Sequence, residues 1–566
     1  MLVAGYWKPV TGNQTGNHKL QTFPYLSCKI LFMRRPSVKT AALKKLRDAF
    51  HTNEKALEAG SNDVISFHHA NEFTKGRRKF IGDVSKAVMA AGIAGLYESC
   101  NTANKKTQPS IAIIGAGMAG LHAAYILKQA GFTSTIYEAS QRHGGRIFTV
   151  PEMMGPGLWT EMGGEFIDTV HADMLSLAKH FNLPLIDRSE PSEKALHEFS
   201  FYFGGKHYTN DEFIKAMQPY AAQMKADVDS LSDVIDYENH SPADTKFDNM
   251  SIMDYADSIG IKGWFRDFIF NSYTSEYGMD ANEQSALSFM LLFDTGDNGK
   301  NYRIYGESDE VYSIQGGNYK LCDALAKELA GQIQFDHSLA AIKQNNAKQY
   351  VLSCKKTGGT VTDITADIVI ITIPFTLLRD VDIQVPLPAW KTNGIQSLGY
   401  GMNSKIFIGT NERVWRKQGF AGYCFSDNAV MSGYDHTQMQ GGNTGAGGFT
   451  LAPGGKRSMA LENMNMDDIQ KEYIPALDAV FPGVQASFNG RLQKWFWPGY
   501  TFAKCSYVSY RTGQYTTIGG TEIKPFDNIY FAGEHCSYEF QGFMNGAAET
   551  GRQAAEAIIS KLKVTG

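Results

Sequence analysis

Short apolar runs and amphipathic stretches alternate along most of this chain, starting near residue 108. Ile111–Ile114 is a continuous apolar run, the right length for one strand buried on both faces. Helical spacing follows over 121–130 and stops at Gly131, and Ser134–Tyr137 reads as a second strand. The alternation returns later. Residues 171–183 read as an amphipathic helix stopped by Pro184, and 185–300 carry helical patterns broken by polar loops, 211–234 among them. Residues 319–329 make a short helix. Strands are expected at 332–335, 340–344, 350–354, 367–374 and 401–408, and a final helix at 545–562. Residues 441–455 are glycine-rich and polar, a loop or hairpin cluster. Strand, helix and strand in this order predict an α/β fold with a Rossmann-like parallel sheet.

Residues 1 to about 105 lack such a pattern and are basic in places. Within them Arg77-Arg78 precede Phe80 and a weakly apolar run over 87–96, which resembles a twin-arginine export signal. Export to the periplasm or beyond is the expectation, and a start at Met33 would bring the pair nearer the N-terminus. The other reading is an amphipathic helix packed on the body of a cytoplasmic protein. The run is far too short to be a stable membrane span.

Composition acts by exclusion. At 566 residues the chain has room for two substantial domains. With 43% hydrophobic and 20% charged residues and a net charge of −4, nothing favours nucleic acid or an anionic membrane as partner. Seven cysteines without a CxxC pair, and fourteen scattered histidines without HExxH, predict neither a metal site nor a disulfide framework.

The chemistry lies at the first strand–helix junction. Gly115, Gly117 and Gly120 form GxGxxG. Gly115 permits the tight turn, Gly117 lets backbone approach a pyrophosphate, and Gly120 lets helix pack on strand, with phosphate at the positive helix N-terminus. Glu138 ends the second strand, where its carboxylate can accept from ribose hydroxyls. A second glycine turn, His143-Gly144-Gly145-Arg146, adds an arginine for a pyrophosphate already touched by the first, and Gly163-Gly164-Glu165-Phe166 follows. A nicotinamide enzyme has no obvious need of that second turn.

These stretches resemble the flavin-containing amine oxidase family, which includes monoamine, polyamine and L-amino acid oxidases, bacterial ones among them. The resemblance spans roughly 108–566 and implies FAD. Arg146, with Gly145, would contact the pyrophosphate, and Gly163, Gly164, Glu165 and Phe166 would lie beside the flavin ring. Backbone near Leu339 would lie by the adenine. Lys405, set in an apolar alternation, matches the family lysine bridged through water to flavin N5, where its charge state would assist oxygen reduction. Residues 494–513, with Tyr507, match one wall of the active site. Ala532-Gly533-Glu534-His535 and Gly542-Phe543-Met544-Asn545-Gly546 match the second FAD signature. Glu534, after Gly533, would face ribitol or pyrophosphate, the Met544 N–H would bond the flavin pyrimidine, and Phe543 would be one aromatic wall of the substrate cage. The implied organisation is an extension (1–105), FAD-binding segments (106–184, 305–400, 495–566) and an interleaved substrate domain of mixed sheet and helices (185–304, 401–494). The resemblance leaves a homodimer open.

The implied reaction is oxidation of a C–N bond, giving an imine, then an aldehyde or keto acid with ammonia and hydrogen peroxide. L-amino acid oxidases of the better-known kind carry G-x-M-R to clamp the α-carboxylate. Here Gly164-Glu165-Phe166-Ile167 stands instead, closer to the monoamine oxidase pattern, and an acid facing the pocket would repel a carboxylate. Arg303 could serve from elsewhere, so amino acid and primary amine both stay open. Cys505 has the spacing to Gly513 that carries a covalent flavin in monoamine oxidases, with Lys504 beside it to favour a thiolate, yet non-covalent FAD is the working expectation. The rival readings are a carotenoid-type flavin desaturase and a flavin-binding protein without catalysis. Six aromatic residues, Trp264, Phe265, Phe268, Phe270, Tyr273 and Tyr277, are read as core rather than cage.

Overall fold

A computed structural model of the chain describes residues 108–297 and 301–565. The twin-arginine pair and the whole segment 1–105 lie outside the described residues. Five parallel strands form the central sheet, in the order Ile529–Phe531, Ile368–Ile371, Ile111–Ile114, Ser134–Tyr137 and Ile333–Gln334. Ile111 and Ile113 enter one core with Leu121, Leu321 and Ile558, while Ala112 and Ile114 enter another with Val369, Phe375 and Phe531. Alternate side chains of a strand face opposite sides, so a strand covered on both faces has to be apolar throughout.

Helix Met118–Gln129 starts earlier than its periodicity predicts, because Gly117 serves as its N-cap. That cap makes no side-chain hydrogen bond, and no acid lies in the first turn. The first N–H groups are thus left for another partner. The C-terminal helix Met544–Thr565 packs along this one, with Gly551 against the Ala119 backbone where no Cβ would fit.

A seven-stranded sheet forms the other large layer, running Phe488–Phe496, Ser404–Thr410, Gly447–Leu451, Ser432–Asp435, Phe420–Ser426, His197–Phe203 and Lys206–Tyr208. Helix Trp264–Tyr277 lies against its strands Phe420–Ser426 and His197–Phe203. Asn210–Asp229 forms in the helical region because Thr209 and Glu212 close a capping box at its start. Phe265, Phe268 and Tyr273 are core residues, whereas Tyr277 reaches the cavity described below. The glycine-rich stretch 441–455 forms part of a hairpin, as expected: its fully buried strand Gly447–Leu451 pairs antiparallel with Ser432–Asp435. A Cβ on Gly448 would meet the His436 ring at 2.5 Å, and one on Gly447 would meet Arg413 Cγ at 2.6 Å. Glycine here serves close packing rather than turning. No helix among the described residues is long and apolar enough to cross a membrane.

The glycines of the first turn separate fold from ligand. A Cβ on Gly120 would run into the Gly115 carbonyl oxygen, while one on Gly117 meets nothing nearer than Gly145 Cα at 4.0 Å. Gly120→Val is therefore expected to melt below wild-type apoprotein by about 1–3 kcal/mol of stability or more. Gly117→Val should melt with the apoprotein yet hold no flavin, read as loss of absorbance in the blue. Full flavin occupancy in Gly117→Val would refute the cradle.

Candidate active site

A cavity of about 520 Å³ opens between the glycine turns and the mixed sheet. Of the residues singled out above, Gly115, Gly117, Glu138, Gly145, Arg146, Gly163, Gly164, Glu165, Phe166, Leu339, Lys405, Tyr507, Gly533, Glu534, Phe543 and Met544 all line it. Gly120 does not, as it supports the turn from behind.

At one end, the Glu138 carboxylate accepts from the Ala116 N–H at 2.8 Å and from Ser140 N–H and Oγ at 2.8 and 2.7 Å. The acid that ends the second strand thus fixes the glycine turn. Leu339 lies at this end too, in the stretch where the His337 N–H donates to the Glu138 carbonyl at 2.8 Å. The second glycine turn sits on the first, with the Gly144 N–H donating to Ala116 O at 2.7 Å. Gly144 and Gly145 hold φ of 91° and 57°, the left-handed region where glycine is least strained.

Arg146 donates through Nη1 to Glu534 Oε1 at 2.7 Å and to Ser506 O at 2.8 Å. The second Glu534 oxygen accepts the Gly542 N–H at 2.9 Å. Gly163 packs on the Arg146 carbonyl where no Cβ would fit, and a Cβ on Gly164 would meet Met544 Cγ at 2.6 Å. Met544 is the first residue of the last helix, so the positive end of that helix dipole faces the cavity.

Lys405 lies in strand Ser404–Thr410 opposite Trp495. Its Nζ donates to Gly163 O at 2.9 Å and to Glu161 O and Glu165 Oε2 at 3.1 Å each. Three acceptors match the three N–H bonds of an ammonium. Glu165 also accepts from Tyr434 OH at 2.7 Å, so it is a neutralised acid rather than the bare repulsive charge that the sequence suggests. Burial, helped by Glu165, pushes the Tyr434 phenol up, which keeps it a donor. Behind this pair the buried Glu161 carboxyl is pushed up to about 7 by loss of water.

Aromatic rings close the rest. Phe166 meets Tyr434 edge-on at 5.1 Å between centroids, and Phe543 meets His171 at 5.1 Å. The Tyr507 hydroxyl donates to the Glu276 carbonyl. Cys505 is fully buried, does not line the cavity, and burial pushes its thiol up to about 11. Lys504 turns instead to Asp380, at 2.6 Å. Arg303 also stands away from the cavity, paired with Asp294 at 2.7 Å and Glu307 at 2.5 Å. Sequence reading missed Glu276, Glu310 and Tyr434, which line the same space. No motif marks them, since only packing across the two layers brings them in.

The cavity wall fits a flavin dinucleotide. It offers an open Gly117, an uncapped helix N-terminus, a guanidinium, and a second helix start at Met544. A flavin-containing amine oxidase of Danio rerio is 24% identical over 79% of this chain and 85% of its own length. L-amino acid oxidase Lm29 of Lachesis muta is 22% identical over 79% of this chain and 86% of its own. The structure of cyclohexylamine oxidase from Brevibacterium oxydans IH-35A superposes with a TM-score of 0.69 at 18% identity, covering 80% of this chain and 99% of that one. The family model described as flavin containing amine oxidoreductase matches residues 118–559, and the chain belongs to that family.

Proposed function

We propose that this flavoenzyme oxidises the C–N bond of a primary amine or L-amino acid with FAD held non-covalently and oxygen as acceptor. The observation that carries the reading is Lys405, whose ammonium is held on the Glu161 and Gly163 carbonyls in the cavity lined by both glycine turns. The names of the relatives, an amine oxidase and an L-amino acid oxidase, support the substrate class. When bound, FAD would accept two electrons from the substrate and pass them to oxygen. Amine, oxygen and water enter; carbonyl compound, ammonium and hydrogen peroxide leave.

The chain's own residues supply position and field. Gly115, Gly117 and the helix behind them would hold phosphate, Arg146 would neutralise it, and Glu138 would receive ribose. Phe166, Tyr507 and Phe543 would wall the substrate and exclude water. Lys405 would place a fixed positive charge where negative charge develops as oxygen is reduced. The cofactor side is assigned to 106–184, 305–400 and 495–566, and the substrate side to 185–304 and 401–494.

Among the described residues no cysteine lines the cavity, and burial pushes the Cys505 thiol up, which supports non-covalent attachment, because a protonated thiol is a poor nucleophile. Purified protein should be yellow, bleach anaerobically with an amine or amino acid, and release all its colour to the supernatant on acid precipitation. Colour left in the pellet would overturn the non-covalent assignment. Failure of every amine and amino acid to bleach the flavin would overturn the activity.

Lys405→Met should slow reoxidation by oxygen on the order of a hundredfold, the usual effect of removing one electrostatic stabiliser. Anaerobic reduction by substrate should change far less. Stopped-flow measurement of the two half-reactions decides it, and unchanged oxygen reactivity would remove Lys405 from this role.

A further inference from the structure

Of the three groups that receive the Lys405 ammonium, one is charged. Nζ donates to the carbonyls of Glu161 and Gly163, and to the Glu165 carboxylate at 3.1 Å. The Tyr434 hydroxyl donates to the same carboxylate at 2.7 Å, and its ring centroid lies 5.7 Å from Nζ. Among the described residues, no other group bonds the Glu165 side chain. Lysine, acid and phenol come from three separate pieces of chain: strand Ser404–Thr410, the loop after strand Trp159–Glu161, and strand Ser432–Asp435. All three residues line the cavity.

The other titratable groups around Lys405 do not duplicate Glu165. The Glu161 carboxyl, pushed up to about 7 by burial, spends its oxygens on the Asn318 N–H at 2.7 Å and Thr149 Oγ1 at 2.8 Å. Only the Glu161 backbone carbonyl meets Nζ. Burial, with Lys405 and Arg413 adding to it, pushes His436 down to about 3, so that ring is neutral. Burial keeps the Tyr434 phenol protonated. Arg188 and Glu310 also stand near Glu165, but neither bonds it, and Arg188 Nε and Nη1 make no hydrogen bond. A buried ammonium with neutral acceptors alone gives up its proton more readily than one beside a carboxylate.

We propose that Glu165 is a positioning residue for oxygen reduction, keeping the Lys405 ammonium charged and aimed while Tyr434 fixes the carboxylate. The inference rests on the oxidase reading and adds to it the group that governs the lysine. As oxygen takes two electrons from the reduced cofactor, negative charge develops before two protons complete hydrogen peroxide. A fixed ammonium stabilises that charge, and a neutral amine in its place would not. Glu165 itself takes no part in the bond changes.

Glu165→Gln tests this, because glutamine keeps the volume and an acceptor oxygen and removes only the charge. In apoprotein, acetic anhydride labelling of Lys405, quantified by mass spectrometry as pH rises, reports when the ammonium gives up its proton. The labelling midpoint should lie about one to three pH units lower in Glu165→Gln than in wild type. Glu165→Asp restores the charge and should bring the midpoint back toward wild type, while Glu161→Gln should move it less than Glu165→Gln does. In FAD-loaded Glu165→Gln, reoxidation followed by stopped flow should fall with rising pH along the lowered midpoint, where wild type stays level. Equal midpoints in wild type and Glu165→Gln would overturn the proposal, as would a larger shift in Glu161→Gln or no recovery in Glu165→Asp. Reoxidation slowed by one constant factor at every pH would overturn it too, leaving Glu165 a packing role. If no amine or amino acid reduces the flavin, the oxidase reading fails on its own. Labelling of the apoprotein then still decides whether Glu165 holds the charge of the lysine.

Discussion

The contact between Arg146 Nη1 and Glu534 Oε1, 2.7 Å long, joins residues 388 positions apart and holds three chain segments at once. The guanidinium also grips Ser506 O in the wall segment, and the carboxylate orients the loop before the last helix through the Gly542 N–H. Both groups sit at the edge of the cavity with little access to water. Removing either partner would leave the other charge buried and uncompensated, which is far more damaging than the net strength of the pair suggests. Each end of the chain contributes a glycine signature, and this bridge makes them one site.

From that bridge the geometry passes to the seven-stranded sheet through Gly163. Its missing side chain lets it lie on the Arg146 carbonyl, and its own carbonyl then accepts from Lys405. A lysine in a largely buried strand would otherwise be costly, since an unpaired ammonium loses its hydration without replacement. Here two carbonyls and the Glu165 carboxylate replace the water, and Tyr434 satisfies the rest of that carboxylate. The same contacts tie the seven-stranded sheet to the segment Glu161–Glu165. Rigidity and electrostatics therefore have one source.

Charge matching then gives the cavity its polarity. Where the wall approaches the glycine turns, each lining acid has a partner, and helix N-termini add positive potential. Glu276 and Glu310 also line the cavity, one near the end of helix Trp264–Tyr277 and one in a connection with φ of 47°. A non-glycine residue in that left-handed conformation costs about 1 kcal/mol or more, and the Asp168 contact holds it there.

By itself the sequence determined the local pieces: the apolar strand Ile111–Ile114, the glycine turns at Gly115–Gly120 and Gly144–Gly145, the acid at Glu138, the buried lysine and the final signature at Gly533–Met544. Each is legible because its chemistry acts over a few residues, where backbone freedom, strand alternation and helix ends impose particular residue types. Tertiary structure alone decided that Gly447–Leu451 is a buried strand, that Glu165 is neutralised, that Arg303 is occupied elsewhere, and that Cys505 is buried without lining the cavity. It also decided that Glu276 and Glu310 line the same cavity. Pairing of this kind depends on side chains brought together from both layers, and a linear pattern carries no record of which charges meet.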